Sequence, residues 1–242
     1  IKQIALDEAA EQAGDPNSRT VQQARIDLEE ARFRHSQAKW APQAHLDEIA
    51  KRYEDIAFYG DLACYKVASR LLKKFLKGDG GTEVIDSKWL RSYDVVNKVV
   101  EKNQRKLKNQ FTDFEKVFGK QAKDLMQGKP VKLIAKESAS VSAPRRSDLY
   151  FASNKSDIVT SISAEATRDG NKILITGMAK NKWKDKYNWH KGKSFHIPFF
   201  GEVKSSDALE LQKNRSAKPF EMESTWQQEF HATGRIEDGK IV

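Results

Sequence analysis

The stretch "DIVTSISAEATRDGNKILITGMAK", Asp157–Lys180, sets two runs of alternating apolar and polar residues on either side of a turn signal. Ile158, Thr160, Ile162, Ala164 and Ala166 share one side of the first run, and Ile173 and Ile175 one side of the second. A period of two is that of a half-buried strand. Asp169-Gly170 between the runs reads as a hairpin loop, because a type I′ turn needs positive φ, which Gly adopts freely and Asp tolerates. The last third of the chain is therefore expected to be β-rich. The next residues, "KNKWKDKYNWHKGKSFHIPFFGE" (Lys180–Glu202), begin where the second strand is expected to run out.

Upstream the period changes to that of helices. "TVQQARIDLEEARFRHSQAKW" opens on Thr20 as N-cap and sets Val21, Ala24, Leu28 and Ala31 on one stripe. After Pro42 a second helix carries Leu46, Ile49, Tyr53, Ile56 and Ala57 and stops at Gly60; a third starts at Asp61, turns Leu62, Tyr65, Ala68, Leu72 and Phe75 inward, and ends at Gly78, Gly80 and Gly81. The longest helical signal runs from Asp86 as N-cap to Gly128, with a seam from Tyr93 through Phe111, Phe114 and Phe118 to Leu125. That seam thins between Asn103 and Gln110, where a break is expected. "KPVKLIAKESASVSAPRRS" has two prolines and no stripe and reads as a connector with one short strand, Val131–Ala135. The expected fold class is α+β: an N-terminal α-helical bundle over 1–128, a connector over 129–147, and a smaller β-rich domain over 148–242.

Composition narrows the function classes. The chain has 242 residues with 43 Lys and Arg against 34 Asp and Glu, a net charge of +9 that favours anionic partners. Its one cysteine, Cys64, sits in a helical apolar run and reads as a small buried hydrophobe, so neither a disulfide framework nor a cysteine metal site is expected. No apolar stretch reaches the ~18 residues of a spanning helix, and no charged start leads into an apolar run, so neither a membrane span nor a signal peptide is expected. The chain begins at Ile1 and not Met, as a processed or partial chain would. The glycines at 78, 80 and 81 form no phosphate loop, no Gly-x-Ser-x-Gly elbow occurs, and the histidines lack the i, i+4 spacing of zinc peptidases.

The candidate catalytic residues are Asp185, Tyr187, His190 and His196, which fall within a short aromatic-rich run after an expected strand. A histidine beside a carboxylate is a competent general base, and the two histidines with Asp185 or Glu202 have the donors to hold a divalent metal ion. The competing reading makes the aromatics of this run core residues and the histidines ordinary surface groups.

The order "RDGNKILITGMA", then Trp-x-Asp-x-Tyr-Asn-Trp over Trp183–Trp189, then His-x-Gly-Lys, then "ALELQKNRSAKPFEMESTW", resembles the C-terminal toxin modules of antibacterial effectors and bacteriocins, distantly those similar to colicin M. The resemblance covers about residues 145 to 230. Asp185 and Tyr187 match its Asp-x-Tyr-Asp step, whereas position 188 is Asn and no His-Arg pair follows, so His190 and His196 rest on their chemistry alone. It implies a toxin or effector domain that acts on the target-cell envelope, as on a cell-wall precursor or lipid-linked substrate. It also implies a cognate immunity protein, delivery machinery or a carrier region outside this sequence, and action in the periplasm of a target bacterium ahead of its cytoplasm. The alternatives are a non-enzymatic module that binds nucleic acid or anionic lipid through "RLLKKFLK" and "KNQRKLKNQ", and an assembly or chaperone-docking element.

Overall fold

The computed structural model describes residues 42–110, 119–190, 192, 194–197, 200–215, 217–237 and 240–241. The expected helix over 20–40, the seam residues Phe111, Phe114 and Phe118, and Phe199 lie outside the described residues.

Helix α1 covers 42–62 and opens on Pro42, whose missing N–H costs nothing in a first turn. Leu46, Ile49, Tyr53, Ile56 and Ala57 are buried along it, as the period predicts. It is followed by α2 (Lys66–Lys77), capped at its C-terminus by Gly78 at φ 75°, where only glycine is unstrained. Cys64 does not sit in a helix core: it is exposed in the turn between α1 and α2, at φ 66°. Tyr65 at the N-cap of α2 makes no side-chain cap, and the role falls to Asp148, whose carboxylate accepts from the Val67 and Ala68 amides at 3.0 and 2.8 Å.

Strand β1 (Thr82–Val84) leads into α3 (Ser87–Arg91), where Asp86 caps the Lys88 amide at 2.8 Å. The continuous helix expected from Asp86 to Gly128 is divided into α3, α4 (Asp94–Gln110) and α5 (Lys120–Met126). No break falls between Asn103 and Gln110. The apolar seam thins there because Asn103 is fully buried and donates to Ile158 O at 3.2 Å and Thr160 Oγ1 at 3.3 Å, and Thr160 in turn donates to Asn181 at 2.8 Å. A polar row takes the place of leucines where helix meets sheet.

The remaining elements are β2 (Val131–Ser142), α6 (Asp148–Ala152), β3 (Lys155–Asp169), β4 (Lys172–Tyr187), β5 (Ser194–Ile197), β6 (Gly201–Lys204), α7 (Ser205–Asn214), β7 (Phe220–Glu237) and β8 (Lys240–Ile241). The main sheet runs β1-β7-β4-β3-β2, with β8 beside β7; β1 lies parallel to β7 and the other pairs are antiparallel. The hairpin forms as expected, but Asp169 pairs with Lys172 and leaves Gly170-Asn171 as its loop. Gly170 has φ 60° and Asn171 is not among the positive-φ residues, which is the sign pattern of a type II′ turn and not type I′.

Among the described residues the expected N-terminal helical bundle is not formed. The helices pack on the sheet: Tyr53 of α1, Leu71 and Phe75 of α2 and Val96 of α4 share one buried cluster with Ile158, Trp183, Tyr187 and Met222 of the strands. Leu107 and Leu125 join a second cluster with Leu133, Ile162, Ile175 and Phe230. An amphipathic stripe states only that a face must be covered, and a sheet covers it as well as another helix does. The stretch expected as a connector carries β2, whose odd-numbered residues Val131, Leu133, Ala135, Glu137, Ala139 and Val141 share the less exposed face.

Candidate functional site

Strand β4 extends seven residues beyond Lys180, through "NKWKDKY" (181–187), so Asp185 and Tyr187 stand in a strand and not in the loop after it. Odd-numbered residues of this strand face the helices: Trp183 and Tyr187 are buried, with Asp185 half-buried between them, while Lys184 and Lys186 face solvent. Trp183 is 1% exposed and donates its indole N–H to Ser156 Oγ at 2.8 Å. Tyr187 stacks on Phe220 with centroids 5.0 Å apart and planes 6° from parallel. Burial raises the Tyr187 phenol well above its ordinary range, so it stays protonated and its chief physical role here is packing.

Asp185 accepts from Ser153 Oγ at 2.5 Å and from the Lys186 amide at 2.7 Å. Burial raises its pKa, the two hydrogen bonds oppose the rise, and the Asp157 and Glu221 carboxylates add to it. A carboxyl whose folded-state pKa lies above its unfolded value stabilises the fold at acid pH, and that contribution is lost as pH rises through the raised pKa. At neutral pH the ionised Asp185 is thus a cost to the fold, which is common for groups held for chemistry.

Asp185, Tyr187 and His190 line one polar cleft of about 340 Å³, together with Ser153, Lys155 and Ser205. His190 is exposed at its edge. Ser205 is fully buried at the first turn of α7, and its Oγ finds no hydrogen-bond partner among the described residues. His196 is not among the described residues lining the cleft: it is exposed on β5, opposite Glu202 of β6. Among the described residues no three His, Cys, Asp or Glu side chains are placed to hold a metal ion.

Next to this cleft is a larger apolar cavity of about 560 Å³, between α1, α2 and the end of β4. Tyr53, Ala57, Tyr59, Leu72 and Val203 are among its walls, and Phe151, Tyr187 and Trp189 line both it and the polar cleft. Its aromatic walls are braced edge to face: Tyr53 on Trp189 at 5.6 Å, Tyr59 on Phe200 at 5.2 Å, and Tyr65 on Phe151 at 5.1 Å. Tyr53 directs its hydroxyl away to Lys204 O at 2.9 Å, which leaves its ring for the interior. The sequence run over 180–202 marks only the β4 half of this cavity. The α1 half escapes a reading by period, because a stripe facing a cavity looks the same as one facing a core; the added signal is Phe58-Tyr59, two aromatics off that stripe.

Two carboxylates, Glu83 and Asp61, offset part of the charge of the basic run over 70–77. Arg70 and Lys74 pair with Glu83, Lys73 pairs with Asp61, and Lys74 also lies over the Phe220 ring. Among the described residues no helix is long and apolar enough to cross a membrane. No protein-family model matches the chain, and the comparisons with curated proteins and with solved structures find no match either. Fold and site therefore define the class: an α+β protein with a mixed sheet, covered by helices on one face, and an aromatic cavity that shares Phe151, Tyr187 and Trp189 with a neighbouring carboxyl-bearing cleft.

Proposed function

We propose that this chain is an envelope-directed antibacterial effector domain that takes an amphiphilic, lipid-linked molecule. The apolar part enters the cavity, and the anionic head group sits in the cleft beside Asp185. One observation carries the reading: Phe151, Tyr187 and Trp189 wall both spaces, so a single ligand has an apolar and a polar half within reach of each other. The cavity volume is in the range of small-molecule sites, whose walls are mostly apolar with a few convergent polar groups. Lys155 gives the cleft a cationic rim beside the His190 imidazole, and Ser205 Oγ supplies a buried hydroxyl whose bonding capacity is unspent.

Asp185 is the group suited to proton transfer. Its raised pKa brings it nearer neutrality than an ordinary carboxyl, and its bond to Ser153 fixes its orientation in the cleft. Hydrolysis of the bond between head group and carrier is the reaction this arrangement serves.

Directed to the periplasm of a bacterium, the chain is expected to arrest growth, and Asp185→Asn to abolish the arrest. The Asn variant keeps one acceptor oxygen, for either Ser153 or the Lys186 amide, and removes the ionised carboxyl; the two changes oppose each other, so its melting temperature at pH 7 should stay close to that of the parent. Growth unaffected by folded parent protein in both periplasm and cytoplasm would remove the toxin reading. Arrest that persists at full strength in Asp185→Asn would remove Asp185 from the chemistry.

A further inference from the structure

The far end of α1 carries three large apolar side chains that the core does not use: Phe58 is 57% exposed, Tyr59 51% and Leu62 66%. They occupy consecutive turns just before the bend at Cys64, with the Phe58 and Tyr59 rings in edge contact at 5.6 Å. Exposed apolar clusters of this kind mark interaction sites. This one has a further property. Tyr59 and Leu62 also line the apolar cavity, so the exposed surface continues into the cavity wall.

We propose that Phe58, Tyr59 and Leu62 form a lip that docks on a lipid bilayer and admits a hydrocarbon chain from the membrane into the cavity. The inference rests on the amphiphile reading above: a chain too apolar to travel through water must be taken up where the cavity mouth touches its source. Each methylene left in water lowers the chance of transfer about fourfold. Shallow insertion of aromatic and aliphatic side chains is one way a protein holds a membrane surface. Asp61, one residue from Leu62, is paired with Lys73, so this pair adds no net charge beside the lip. Insertion, and not charge, is therefore the expected source of affinity, and it persists when salt screens surface charges.

Cys64 is the chain's one cysteine, exposed two residues from Leu62, and is a natural place for a polarity-sensitive fluorophore. The labelled full chain is titrated with vesicles of phosphatidylcholine and phosphatidylglycerol at low and high salt, and separately with dodecyl phosphate below its micelle concentration. A blue shift on the vesicles at both salt concentrations is expected. Phe58→Asp, a change at an exposed residue that is not among those lining the cavity, should weaken vesicle binding at least tenfold and leave dodecyl phosphate binding unchanged. A parent chain that binds dodecyl phosphate but no vesicles overturns the lip and spares the cavity reading. Vesicle binding that high salt abolishes, or that Phe58→Asp leaves intact, also overturns it. So does a blue shift that grows with protein concentration alone, since the lip would then be covered by a second copy. A parent chain that binds no dodecyl phosphate removes the cavity reading itself.

Discussion

Trp183→Ala is expected to destabilise the protein by about 3–5 kcal/mol, the range for truncating a buried large aromatic. The indole is 1% exposed in the C-terminal part of β4, opposite Ile158 of β3 and Ser224 of β7, and packs in the cluster that joins the helices to the sheet. Two losses add. A cavity replaces the ring, and Ser156 Oγ, in a residue only 4% exposed, loses the indole N–H that bonds it at 2.8 Å. Denaturant unfolding monitored by far-ultraviolet circular dichroism measures the sum. A loss below about 1 kcal/mol would mean that Trp183 is not the anchor of the helix-sheet interface.

Gly177→Ala is expected to be nearly as costly, about 3 kcal/mol, although it adds one carbon. A Cβ at this position would lie 2.3 Å from Ser163 O and 2.4 Å from Ala164 Cα, both backbone atoms of the neighbouring strand. A flexible side chain could move aside; a paired strand cannot, because Ala164 is held in register with Gly177 by the ladder on either side. The glycine is there for close approach of two backbones, one of the few reasons a strand interior keeps one. The same unfolding measurement applies, with hydrogen exchange of the β3–β4 amides to locate the damage. An Ala variant as stable as the parent would show that the two strands pass with more room than this.

These two residues show how far the sequence could be read. The hairpin over 157–180 was legible because its alternation has one structural meaning, and the buried face over Ile158, Ile162, Ile173 and Ile175 is the one the period predicts. The turn type was not, because Asp-Gly and Gly-Asn overlap in "RDGN" and only pairing decides which two residues form the loop. The helical stripes were legible from Leu46 to Ala57 and from Ala68 to Phe75, whereas Leu62, expected to face inward from a helix starting at Asp61, is 66% exposed at the end of α1. The partner of these stripes was not legible, since amphipathicity does not say whether a sheet or a helix covers the face, and so a bundle was expected where helices lie on strands. The small residues of β2 concealed a long edge strand for a related reason: alanine and serine alternate with little contrast in hydrophobicity.

At the site, Asp185, Tyr187 and His190 were found by their closeness in sequence, and the structure places them along one cleft. His196 was equally close in sequence, yet it stands on β5 opposite Glu202 and is not among the described residues lining the cleft. Ser153 and Ser205 carried no local signal at all. They reach the cleft from α6 and α7, across intervals that only the fold closes.

The central claim is that one amphiphile spans the cavity and the cleft, and calorimetric titration with a series of alkyl phosphates, octyl to tetradecyl, tests it directly. Affinity for the parent chain is expected to rise about fourfold per added methylene until the cavity is full, and then to level off. Ala57→Phe, which fills the cavity from a fully buried position in its wall, should bring the levelling to shorter chains while leaving the shortest one bound. Affinities independent of chain length, or a series that Ala57→Phe leaves unchanged, would contradict the account.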